Sequence, residues 1–304
     1  MRIVSLLPSL TELVAFLGRA DDLVGVTHEC DEPASVSALP KLTSSVIPGH
    51  ASAAEIDRAV SGAGGSLYRL DAELLGGLRP DLIVTQSQCD VCAVSEPLVR
   101  QVAASLPGSP PVESVNPLDL AGVFSMFRRV GDLLDRRVEA ESWMDRFNAT
   151  ATEIALRRGD RPRPRVLHLE WADPPFISGH WNPELVGLAG GREVLGRAGR
   201  ESSRVSWDEV AGLDPEVVLF APCGFPLGRV EREWAELRAR PEWRALPFSN
   251  SIRVALIDGN RYFSRPGPRL EESLRIAAAA IDPATCLDLA PPGDGWRWVT
   301  EDLA

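Results

Sequence analysis

Short apolar runs alternate with amphipathic stretches through the first third of the chain. "RIVSLL" (2–7), "LVGV" (23–26), "LYRL" (67–70) and "DLIVT" (81–85) read as strands. Ser9-Leu10-Thr11-Glu12 is a capping-box pattern opening a short helix through Leu17, and Ser52-Ala53-Ala54-Glu55 is a second. Asp71 to Leu78 and "SEPLVRQVAAS" (95–105) are helical, with Pro97 tolerated in a first turn. Strands separated by helices predict a parallel α/β sheet.

From Pro117 to about Arg158 the period changes. Val123, Phe127, Val130, Leu134, Val138, Phe147, Ala151 and Ile154 recur at near-helical spacing with no proline among them. This predicts a single helix of about 40 residues, roughly 60 Å long and longer than one small domain, ended by "RRGDRPRPR". The α/β pattern then restarts. "VLHLEW", "DPEVVLFAP" and "IRVALID" supply strands, and "PELVGLAGG", Glu231 to Arg240 and Arg269 to Ile281 supply helices. Ser206-Trp207-Asp208-Glu209 is a third capping box. The predicted organisation is an N-terminal α/β lobe (1–115), a linking helix (116–159) and a C-terminal α/β lobe with a tail (160–304). "LRPDLIVTQSQC" (78–89) and "LDPEVVLFAPCG" (213–224) echo one another, as a duplicated pair of lobes would.

Ligands of parallel α/β sheets bind outside the carboxyl ends of the strands, so the residues placed there are the candidate site. "THECDEP" brings His28, Glu29 and Cys30, and "QSQCDVC" brings Ser87, Gln88, Cys89 and Cys92. Trp171 follows "VLHLE", and "SGHWNPE" carries His180 and Trp181. "PCGF" carries Cys223 and Phe225, and "DGNRYFSRPGPR" carries Tyr262, Arg265 and Arg269. Two arginines on a Pro-Gly-Pro loop suit an anionic group, and tryptophans in Pro/Gly-rich loops suit a pocket wall. Cys30, Cys89, Cys92 and Cys223 read either as a soft-ligand patch or as reduced, packed thiols.

The net charge of −11 opposes binding to nucleic acid or anionic membrane, and no stretch has the apolar length to span a bilayer. The first residues read as a strand and not as a signal peptide, so the expected location is the cytoplasm, and extracytoplasmic only for a truncated start. No G-x-S-x-G elbow, P-loop or H-E-x-x-H occurs. Binding is therefore the expectation, not catalysis.

"RIVSLLPSLTELVAFLG", "LVGVTHECDEP", "LRPDLIV", a long helix and "LDPEVVLFAPCG" together resemble the ABC-transporter solute-binding proteins for cobalamin and iron-siderophore complexes, the vitamin B12-binding branch above all. The resemblance implies two Rossmann-like lobes joined by one long helix, with the ligand held between them. It extends the candidate loops to Pro8-Ser9. A corrinoid or chelated metal is the implied ligand, with an ABC permease as partner if the protein is exported. Cysteine and histidine at loops that cobalamin binders line with aromatics leave an alternative: a cytosolic metalloprotein or enzyme holding zinc or an iron-sulfur cluster.

Overall fold

A computed structural model describes residues 1–47, 51–62, 67–87 and 94–299. The chain forms two compact units, Met1–Pro117 with Phe124–Ser142, and Leu118–Val123 with Trp143–Ala304.

In the first unit β1 (Ile3–Ser5), α1 (Pro8–Val14), β2 (Leu23–Val26), β3 (Thr43–Ser45), α2 (Ala53–Gly62), β4 (Tyr68–Leu70), α3 (Ala72–Leu78), β5 (Leu82–Gln86), α4 (Glu96–Ser105) and β6 (Val112–Val115) follow in order. The sheet order is β2-β1-β5-β6, all neighbours parallel, and β3 pairs β4 antiparallel beside it. All five residues of β5 are buried, which is why this strand reads as an unbroken apolar run. Val4, Leu6, Leu42, Leu75, Ile83 and Val99 form the core here. The expected capping box at Ser9 does not form. Proline fits the first helical position, so α1 begins at Pro8 and Ser9 lies inside it. The box at Ser52 does close, its hydroxyl accepting from the Glu55 N–H (3.3 Å) while the Glu55 carboxylate accepts from the Ser52 N–H (2.8 Å). β6, hidden in sequence by Pro110 and Pro111, completes the sheet.

The predicted single long helix is two, α5 (Leu120–Leu133) and α6 (Arg137–Arg158). Asp135 takes the left-handed conformation at φ 54°, and the Arg136 N–H donates to the Gly131 carbonyl (2.7 Å), which ends α5. A Cβ on Gly131 would sit 3.0 Å from that of Ala140, so the two helices meet at a residue without a side chain. The apolar period survives the break because Val123, Phe127, Val130 and Leu134 on one side, and Trp143, Phe147 and Ile154 on the other, are all buried. Val138, counted with that stripe, is 79% exposed where the phase slips.

The second unit contains β7 (Arg165–Ala172), β8 (Pro175–Ile177), α7 (Asn182–Leu188), β9 (Arg192–Glu193), β10 (Ser203–Arg204), α8 (Trp207–Ala211), β11 (Val217–Phe220), α9 (Leu227–Ala239), α10 (Pro241–Arg244), β12 (Arg253–Ile257), α11 (Leu270–Ile281), α12 (Pro283–Cys286) and β13 (Trp296–Trp298). The sheet order is β10-β8-β7-β11-β12-β13, with β9 also on β7. β7, β11, β12 and β9 are parallel, β8 and β13 pair antiparallel with β7 and β12, and β10 pairs antiparallel with β8. The tail, unplaced by its sequence, supplies β13 against β12. The Ser206–Glu209 capping box forms as predicted.

The echo between the halves has a structural counterpart. Arg79 and Asp214, each just before the proline of its turn, both take φ 46°. The acid after each proline then accepts from the backbone N–H at the start of the unit's first strand: Arg2 to Asp81 at 2.7 Å, and Arg165 to Glu216 at 2.9 Å. Each turn thus sets the register of a parallel strand pair, β1 with β5 and β7 with β11.

Candidate functional site

Each unit delivers its candidate residues at the carboxyl ends of its parallel strands. In the first unit a web of hydroxyls and one thiol ties those ends together. Thr11 donates to the Ser5 hydroxyl (2.8 Å) and lies 3.1 Å from the Cys30 sulfur, while the Thr27 hydroxyl lies 3.3 Å from the same sulfur. Cys30 is buried, and burial pushes its thiol up from the ordinary range, against the opposing hydrogen bonds. A sulfur held in this way is packed and protonated, the opposite of a metal-ready thiolate. Ser9 is also buried, its hydroxyl unpaired. His28 is half-buried, its Nδ1 2.7 Å from the Thr43 hydroxyl and its ring 5.5 Å from that of Tyr68, with its Nε2 3.2 Å from the Glu29 carboxylate. Glu29 and Ser87 are exposed. His28, Glu29 and Ser87 therefore remain open to a ligand. Gln88, Cys89 and Cys92 lie outside the described residues.

In the second unit the predicted loop at Trp171 is a hairpin: β7 continues through Trp171 and Ala172 and folds back as β8, pairing Trp171 with Phe176. Trp171 is half-buried and packs on Phe225 with ring centroids 4.8 Å apart, and the Arg229 guanidinium lies over the other ring at 3.5 Å. Indole, phenyl and guanidinium thus stack at the ends of β7 and β11. Phe225 is held in place from β12: the Asp258 carboxylate accepts from the N–H groups of Leu227 (3.3 Å), Asn260 (3.0 Å) and Arg261 (2.9 Å), and the Asn260 N–H donates to the Phe225 carbonyl (3.2 Å). Arg265, half-buried, donates to the Asn260 side chain at 2.7 Å, which aims the loop after β12. Arg269, also half-buried, occupies the position before α11.

Trp181 and Tyr262 build the wall and do not line its surface, while His180 and Cys223 are more accessible. Trp181 is 3% exposed and its indole donates to the Phe263 carbonyl (2.9 Å). The Tyr262 hydroxyl donates to Glu272 (3.1 Å), and burial first, then the Glu272 charge, push its phenol up to about 12. His180 is half-buried at φ 53°, 5.5 Å from the Trp181 ring, and burial lowers its pKa. Cys223 is exposed, its N–H donating to the Glu170 carbonyl (3.1 Å). Among the described residues no group of three or more His, Cys, Asp or Glu side chains is placed to hold a metal ion. The zinc or iron-sulfur alternative has no support here.

Sequence reasoning missed Arg229, four residues beyond Phe225 and so on the turn that carries it. It also missed Glu170 as a wall residue: half-buried, with Asn182 (2.7 Å) and Ser202 as donors, its carboxyl is pushed up by desolvation.

The sequence profile of the family described as periplasmic binding protein matches residues 3–260. Among solved structures, a periplasmic heme-binding protein from Pseudomonas aeruginosa is 22% identical, covers 97% of this chain and 95% of its own, and superposes at a TM-score of 0.68. The heme-binding protein RhuT from Roseiflexus sp. RS-1 is 22% identical, with 93% and 98% covered and a TM-score of 0.68. The vitamin B12-binding protein BtuF of Vibrio cholerae is 17% identical, with 93% and 97% covered and a TM-score of 0.63. At these identities the likeness is one of fold. No curated protein sequence matches the chain.

Proposed function

The chain belongs to the periplasmic binding protein family, and from that premise we propose that its ligand is a flat metal chelate, a corrinoid or heme-like tetrapyrrole, taken at the carboxyl ends of the strands described above. The observation that carries the reading is the Trp171–Phe225–Arg229 stack with Arg265 on the neighbouring loop, an apolar ring surface beside guanidiniums for a ligand with a flat face and anionic groups. Folds similar to this one include proteins named for heme and for vitamin B12, which supports the same chemistry. Trp171, Arg265 and Arg269, all of the second unit, are the proposed contacts. An ABC permease is the proposed partner, as for the Listeria monocytogenes transporter substrate-binding protein of like fold.

The test is an absorbance and thermal-shift titration of the purified protein with hydroxocobalamin, hemin and a ferric siderophore. Ligand at about 100 times its Kd stabilises the folded state by about 2.7 kcal/mol, a readable rise in melting temperature. At least one of the three should bind, and Trp171→Ala and Arg265→Ala should each weaken it about tenfold or more, beyond any loss of stability read from the melt of the free protein. Silence with all three compounds would remove the chelate from the proposal.

A further inference from the structure

The second unit has another concave surface, at the opposite edge of the same sheet. There, where β12 begins, the described residues enclose a groove of about 750 Å³. Arg238 enters it from α9, Arg244 from the end of α10 and Arg253 from the first residue of β12, with Trp234 and Trp298 in its walls. β12 is five residues long, so about 13 Å separates this edge from the strand-end site.

Three properties set the groove apart from an ordinary solvated face. Among the described residues no Asp or Glu lines it, in a chain that carries 43 acidic residues against 32 basic ones. Neither the Arg238 nor the Arg244 guanidinium has an ion-pair partner among the described residues. The Arg253 guanidinium reaches only the Ile281 carbonyl at 3.4 Å and lies 5.9 Å from the centre of the Trp298 ring. Gathering three unpaired positive charges raises the potential inside the groove and favours an anion. Trp234 adds a polar demand of a different kind. Its side chain is 4% exposed, and its buried indole N–H has no acceptor. A buried donor left unpaired is costly, and one in the wall of a cationic groove is suited to an anionic acceptor.

We propose that this groove is a second binding site, for a small polyanion that carries a flat ring, of nucleoside phosphate chemistry. Arg238, Arg244 and Arg253 meet the phosphoryl oxygens, and the half-buried Trp298 takes the ring. The volume accommodates a molecule of that size, and guanidinium with indole is the pairing that recognises phosphate and base together.

Calorimetric titration of the full chain at low salt with ATP, and with tripolyphosphate as the ring-free probe, tests this. ATP should bind, more weakly as salt is raised, and Arg238→Glu with Arg244→Glu should lower its affinity about tenfold or more. Trp298→Leu should weaken ATP and leave tripolyphosphate unchanged; if that variant melts early, Asn250→Asp, exposed on the rim, gives the charge readout without touching packing. Hydroxocobalamin or hemin titrations of the arginine variant should match those of the parent, so this site and the strand-end site fail or stand separately. No ATP binding at millimolar concentration, or ATP affinity unmoved by the double arginine substitution, overturns the proposal.

Discussion

Glu193 predicts a stability that falls as the pH rises through neutrality. It closes β9, where its Oε1 accepts from the N–H groups of Gly196 (3.0 Å) and Leu195 (3.3 Å) while Oε2 is shut away from solvent. Burial pushes this carboxyl up to about 7, with those backbone hydrogen bonds opposing. The folded state therefore keeps a proton that the unfolded chain releases above its ordinary value of 4.5. Because the native state binds more protons across that window, stability is lost between about pH 4.5 and 7, by roughly 3 kcal/mol in total. His168 acts with the opposite sign: wholly buried, both ring nitrogens unpaired and its ring edge-on to Phe263 at 4.9 Å, it is pushed down to about 3 by desolvation. Its contribution is lost as the pH falls below 6.5, so the two slopes oppose one another in the parent protein. Glu193→Gln isolates one of them, since the amide keeps the shape and the acceptor of Oε1 but does not titrate. Melting curves of both proteins from pH 5 to 8 in one buffer ionic strength should show the variant gaining on the parent as the pH rises. About 2.5 kcal/mol of that loss falls between pH 5 and 8, so at roughly 2–4 °C per kcal/mol the difference should change by about 5 to 10 °C. A difference that stays constant across that range refutes the reasoning.

Gly179→Ala should destabilise by about 3 kcal/mol in urea titrations, because a Cβ there would overlap the backbone of Arg200 and Ser202, which no rotamer change relieves. Gly77→Ala, in α3 with nothing within 4 Å of the added methyl, should instead stabilise by about 0.5–1 kcal/mol. Trp181→Phe keeps a ring but strands the buried Phe263 carbonyl, so the same assay should register a loss of about 1–3 kcal/mol. In a Cys89→Ser, Cys92→Ser background a thiol reagent should modify Cys223 at once, and Cys30 and Cys286 only on unfolding; prompt reaction of all three contradicts the burial.

The α/β pattern was legible because parallel strands buried on both faces leave short apolar runs. β5, β7, β11 and β12 were visible in this way, and so were the capping boxes at Ser52 and Ser206. What the pattern could not show was a break that costs no periodicity. The turn at Asp135 contains no proline, and the stripe resumes on α6, so two helices read as one. Aspartate tolerates the left-handed conformation, and Gly131 four residues before it allows the close return; together they were the available signal. β6 and β13 were lost for a different reason. Both are edge strands whose identity comes from a neighbour, β5 or β12, and not from their own composition.

The candidate residues were located by strand ends, a rule about backbone position that does not say which way a side chain turns. Trp171 and Trp181 looked alike in sequence, each in a loop rich in proline or glycine. Their fates divide on one hydrogen bond. The indole of Trp171 donates to the Asp173 carbonyl two residues on (3.1 Å), a local bond that holds the ring at the hairpin and leaves it half-exposed over Phe225. The indole of Trp181 donates across 82 residues to Phe263, a carbonyl that no nearby donor serves in sequence. A bond of that reach draws the ring inward and fixes the loop after β12 to the start of α7. Arg265 and Arg269 follow from the same loop, so under the proposed function Trp181 would act by positioning the arginines, and Trp171 by contact. Trp181→Phe should therefore weaken chelate binding in proportion to its loss of stability, whereas Trp171→Ala should weaken binding by more than its loss of stability accounts for; affinity losses that track melting temperature in both variants would mean that the two tryptophans share one role.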